Sequence, residues 1–110
     1  MEKQYAVRIT EPAERQLREI VRYVSDVLQE RATAARMLEL LEREILSLSQ
    51  FPNRFALTPE EPWCGAGVRR MPVKNYLVYF WVDEANASVH ITAVLYARRD
   101  QKKALTEMTE

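Results

Sequence analysis

Arginine is the residue type whose placement suggests chemistry in this sequence. Arg69-Arg70 opens the second half of the chain and Arg98-Arg99-Asp100 follows its last apolar run, with Lys74, Lys102 and Lys103 nearby. Guanidinium groups are permanently charged planar forks suited to phosphate or carboxylate oxygens. From Arg69 to Lys103 there are seven basic and three acidic residues, a balance of +4, while the remainder holds nine and thirteen, a balance of −4. The net charge of zero therefore hides a polarised molecule. The plain alternative is that these are solvated surface charges, with an ion pair to Asp100. Tyr76, Tyr79, Phe80, Trp81 and Tyr96 interleave with the basic ends. Such rings either stack on bases or fill a sheet, and the amphipathic Tyr76 and Tyr96 suit a rim.

Other catalytic signatures are missing. The sequence holds no Gly-rich phosphate loop, no Cys/His spacing for zinc and no His-Glu-x-x-His. The single cysteine, Cys64, and single histidine, His90, lie on a loop and a strand, which argues for an inert thiol and a face-filling imidazole. No metal or cofactor is expected. One cysteine cannot form an internal disulfide, which fits a reducing cytoplasmic setting. The longest apolar run, Tyr76 to Val82, is far too short to cross a membrane, and the charged start carries no apolar signal segment.

The elements that must position these residues follow from period. The whole chain, 1–110, reads as one domain. Tyr5, Val7 and Ile9 alternate as a short strand. Thr10 stands as an N-cap before Glu11-Pro12, and Ala13, Leu17, Ile20, Val21, Val24, Val27 and Leu28 form one helical stripe ending near Gln29. A second helix from Thr33 places Ala34, Met37 or Leu38, Leu41, Ile45 and Leu48 on its apolar face and stops at Phe51-Pro52-Asn53. Residues 53–67, with both glycines and two prolines, have no period and read as loop. Strands then follow at 68–74, with Pro72 marking an edge or bulge, at 76–82, apolar on both parities, and at 88–97, alternating through Val89, Ile91, Ala93 and Leu95. The expected fold is α+β, in the order β-α-α-β-β-β. A two-helix hairpin covers one face of an antiparallel sheet, with a short C-terminal helix possible over 102–108. The other face, around Leu77, Tyr79 and Trp81, is left for the C-terminal tail or a partner segment to cover.

Several of these stretches resemble the RelE/ParE superfamily of type II toxin–antitoxin systems. They are the opening Tyr5-Ala-Val-Arg-Ile-Thr, Pro12-Ala13 with Leu17-x-x-Ile20-x-x-Tyr23, and Leu48-x-x-Phe51-Pro52. The stronger pieces are Arg69-Arg70-Met-Pro-Val-Lys-Asn-Tyr76-Leu-Val-Tyr79 and Val89 through Tyr96-Ala-Arg98-Arg99-Asp100. The resemblance implies a toxin held inactive by a cognate antitoxin, with Leu77, Tyr79 and Trp81 as antitoxin contacts. ParE-like members, closer at Tyr96-Ala-Arg98-Arg99-Asp100, bind and poison DNA gyrase. For such a protein Arg69, Arg70, Tyr76, Arg98, Arg99 and Asp100 would contact the target and no residue would be catalytic. RelE-like members cleave mRNA on the ribosome, and there Arg70, Arg98 and Tyr96 would form the catalytic set. Two features of those nucleases are absent: lysines between Arg54 and Arg69, and a Tyr or His after Tyr96. An inactive binding module of the same fold is the third reading. Engagement of a macromolecular target is expected to rest on Arg70 and Arg98 converging at one rim.

Overall fold

A computed structural model describes residues 3–97. The chain runs β1 (Ala6–Ile9), α1 (Glu11–Arg22), α2 (Arg31–Leu46), β2 (Arg69–Val73), β3 (Tyr76–Asp83) and β4 (Ser88–Tyr96). The four strands form one sheet in the order β1-β4-β3-β2. β2, β3 and β4 are an antiparallel meander, but β1 pairs parallel to β4, so the sheet is mixed where a purely antiparallel one was expected. The helical hairpin causes this: two helices carry the chain from β1 to the far edge, and the meander returns it to β1's side. Local alternation carries no information about that partner.

Thr10 caps α1 as its position suggests. Its hydroxyl accepts from the Ala13 N–H at 3.5 Å and donates to the Ile91 carbonyl at 2.8 Å, which ties the helix start to β4. β1 ends at Ile9, so β4 has no strand partner on that side further along. Gln16 of α1 fills the gap, its Oε1 accepting the Val94 N–H at 2.9 Å. Beyond Arg22 the helix widens into a π turn over Tyr23–Val27, marked by Leu28 N–H donating to Tyr23 O at 3.1 Å. The widened turn shifts the stripe's phase. Val24 stays buried, but Val27 and Leu28, expected on the apolar face, are exposed. Gln29 then turns left-handed at φ 54°, and Glu30 N–H bonds back to Val24 O, closing the helix.

The main core lies between the helices and one sheet face. Ala13, Leu17, Leu41, Ile45 and Leu48 pack against Met71, Val73, Val78, Phe80, Val89, Ile91 and Val94. A smaller cluster of Trp63, Val68, Tyr79, Ala93 and Leu95 lies on the opposite face, with Leu77 at its margin. The cover over that face therefore includes Trp63 of the aperiodic stretch and Val68 just beyond it. β4 serves both clusters through a bulge: Tyr79 pairs with Ala93 and Phe80 with Ile91, leaving Thr92 as the extra residue. Thr92 donates its hydroxyl to Tyr79 O at 3.2 Å. The apparently continuous alternation of Val89, Ile91, Ala93 and Leu95 is thus split, with the first two facing the helices and the last two facing away.

Candidate functional site

Sheet register decides which of the candidate side chains meet. Paired residues share a face, so Arg70, opposite Tyr79, projects away from the helices, as do Leu77 and Trp81. Tyr96, opposite Tyr76, projects with it towards the helix side. Counting along the register through Val73 and Tyr76, Arg70 and Tyr96 are separated by roughly 10 Å along the sheet and roughly 10 Å across it. They emerge on opposite faces and do not form one constellation.

Each of the two arginines on β2 already has a protein partner. Arg69 turns to the helix side, where its Nη1 donates to Phe55 O at 2.7 Å and Asn53 O at 3.5 Å. It thereby fixes the start of the long loop. The Arg70 guanidinium hydrogen-bonds the Tyr79 phenol. Burial pushes the Tyr79 phenol above its ordinary value, while Arg70 works against that shift and nearby Glu60 adds to it. Tyr79 is fully buried. The expectation that it offers an open contact surface is corrected: Trp63 and Val68 pack against it.

Tyr76 and Tyr96 meet edge to face, with ring centroids 5.7 Å apart. Burial, and secondarily the neighbouring Tyr96, raises the Tyr76 phenol. The pair lines a groove of about 640 Å³ whose other wall includes Gln16, Ile20, Tyr23 and Val24. At its edge Ala97 N–H donates to Asn75 O at 2.7 Å, holding the chain beside the β2–β3 turn. Arg98, Arg99 and Asp100 lie outside the described residues.

One grouping was not foreseen from residue types. Trp81, 37% exposed, stacks on His90 with centroids 4.4 Å apart and planes 15° from parallel. His90 Nε2 lies 3.8 Å from Asp83 Oδ2, and Arg8 of β1 is the register partner of His90. Asp83 titrates below its ordinary range, chiefly because the Asn86 side chain donates to it. These residues are dispersed in sequence, and only the mixed sheet brings β1, β3 and β4 together here. A second apolar groove, about 650 Å³, runs between α1 and α2, lined by Ile9, Leu17, Val21, Leu38 and Leu46 among others. Among the described residues no group of three His, Cys, Asp or Glu could hold a metal ion, and Cys64 is a free thiol in the loop. No helix among them is long and apolar enough to cross a membrane.

Comparison with known proteins gives these features a context. A family model described as the ParE toxin of the type II toxin–antitoxin system parDE matches residues 7–101. No curated protein sequence matches the chain. Among solved structures, the chromosomal ParDE system from P. aeruginosa superposes with a TM-score of 0.71 at 20% identity, covering 87% of this chain and 99% of that one. The RelBE2 toxin–antitoxin complex from Mycobacterium tuberculosis gives 0.61 at 21% identity, covering 87% and 97%. A mutant of E. coli toxin RelE in the free state gives 0.60 at 11% identity, covering 92% of both chains.

Proposed function

This chain belongs to the ParE toxin family of type II toxin–antitoxin systems, and we propose that it is a ParE-like inhibitor of DNA gyrase, neutralised by a cognate antitoxin protein. One observation carries the choice of target. Arg70 and Tyr96 project from opposite faces of the sheet, and Arg70 is engaged by Tyr79. Metal-free RNA cleavage needs a cation on the phosphate and an acid or base within about 3 Å of the same reacting group. A protein that works by binding has no such requirement. Target contact is assigned to the side of the molecule where Tyr76 and Tyr96 form the groove, continued in sequence by Arg98, Arg99 and Asp100. Arg69 and Arg70 then act through β2 and its loop, as positioning residues. Two of the similar structures are toxin–antitoxin systems, which supports an antitoxin partner. On this reading the exposed Trp81 and half-buried Leu77 are its contacts.

The test is a gyrase supercoiling assay run beside a ribosome-dependent mRNA cleavage assay, with the purified full-length chain. Loss of supercoiling with intact message is expected, as is a weaker effect from the R98A/R99A double variant. Cleaved message with undiminished supercoiling would overturn the gyrase reading. Growth arrest that survives Tyr96→Phe agrees with it.

A further inference from the structure

Residues Thr58 to Gly67 form a structural unit of their own. Among the described residues, their backbone hydrogen bonds run within the segment or back to its base. Cys64 N–H donates to Glu60 O at 2.9 Å, Ala66 to Pro62 O at 3.0 Å, Gly67 to Cys64 O at 3.1 Å and Val68 to Trp63 O at 3.0 Å. The Glu61 carboxylate adds a further internal bond, accepting the Gly65 N–H at 3.0 Å. The segment joins the sheet through a narrow neck, where Leu57 bridges Arg69, Thr58 N–H donates to Val68 O, and Arg70 N–H donates to Ala56 O. Gly67, at φ +82°, supplies a backbone conformation that side-chain-bearing residues rarely adopt, at the point where the segment rejoins the neck. Its main hold on the sheet is apolar: Trp63 packs on Tyr79, Ala93 and Leu95.

That hold carries a penalty. Thr58 Oγ1, Glu60 Oε2 and Trp63 Nε1 are buried with no hydrogen-bond partner among the described residues, and all three belong to this segment. Trp63 is 6% exposed and Thr58 fully buried, so closure strips their polar atoms of water without replacement. The sheet beneath has no matching deficit among its described side chains.

We propose that residues 58–67 are a hinged flap that swings off the sheet as one body about the Leu57–Arg69 neck, uncovering Tyr79, Ala93 and Leu95 and freeing access to Arg70. Opening as one body keeps the segment's internal bonds and rehydrates three polar atoms orphaned among the described residues, which lowers the cost of parting the apolar contacts of Trp63. The covered strip is therefore an intermittently available surface, regulated by the chain itself.

Amide and indole hydrogen–deuterium exchange on the full chain tests this. Because the segment swings as one body, the reporter is the Trp63 Nε1–H, which leaves the sheet on opening; its protection should be at least 100-fold below that of the β3 amides. Thr58→Val keeps the shape and removes one orphaned hydroxyl, so it should raise the indole protection about tenfold and leave β3 unchanged. A Trp63 indole protected as strongly as the β3 amides would overturn the proposal. Cys64 and Ala66 amides exchanging as fast as the indole would overturn it too, since the internal bonds would then break on opening. So would a Thr58→Val indole that exchanges as fast as the parent or faster. The wild-type measurement stands whether or not the variant folds.

Discussion

The two faces of the sheet are buried by different means. Among the described residues, the helix side gathers twelve buried side chains from both helices and three strands, whereas the outer side gathers five beneath an irregular loop. Helices with apolar stripes cover a sheet continuously and satisfy their own backbone, so their burial is cooperative with the fold. A loop covers only where a large side chain reaches down, and here that side chain is Trp63. One face holds the molecule together, and the other can be altered without dissolving it.

Phe80→Ala probes the first face and should show the largest effect. Phe80 is fully buried and meets Phe55 edge to face at 6.2 Å. Its truncation should cost about 3–5 kcal/mol in denaturant unfolding. Trp63→Ala should cost only about 2 kcal/mol, because the loss cannot exceed what docks the loop, and its exchange effects should stay local to residues 58–68. Equal losses at the two positions would erase the distinction between the faces.

Smaller, pH-dependent effects sharpen it. The folded protein holds the Tyr79 phenol above its ordinary value of 10.0. The associated stability is fully present below pH 10 and is lost as pH rises through the folded value. Melting temperature should therefore fall on the alkaline side, and Tyr79→Phe should flatten that fall while lowering the plateau through loss of the Arg70 bond. At the acid end, Glu84 accepts from Lys3, Tyr5 and Asn53 at 2.9–3.1 Å and titrates below its usual 4.5, with the Asn53 bond as the largest cause. That contribution is present above pH 4.5 and disappears as pH falls through the folded value. Glu84 is exposed, so Glu84→Gln should give the smallest change of the series, confined to the acid limb and indifferent to either face.

Sequence pattern and final structure agree where a local rule decides the outcome. Thr10, Pro12 and the 3.6-residue stripe mark α1 without reference to the rest of the chain. Pro72 sits on an edge strand at a position whose N–H would point outward, as the outward Arg70–Ala56 bond shows by the same alternation. Agreement ends where tertiary geometry intervenes. Nothing in Val89-His-Ile-Thr-Ala-Val-Leu-Tyr signals that Thr92 is skipped, because apolar residues fall on both sides of it at the expected spacing. The π turn at Tyr23 hides in the same way within a good helical stripe. Trp63 escaped notice because a stretch without period gives a large aromatic no face. The candidate site shows the same limit: the shared rim was expected of Arg70 and Arg98, Arg98 lies outside the described residues, and pairing register sets Arg70 and Tyr96 on opposite faces.

Thr92 has one further consequence. It acts as a phase shifter within a single ribbon: pairing it into the ladder opposite Tyr79, instead of bulging it out, would turn everything downstream inside out. Tyr96 would then point to the solvent side of the ribbon, and Ala93 and Leu95 would be driven into the helical interior. A ribbon of the same length without the bulge would carry the same terminal tyrosine yet display it to a different world of partners.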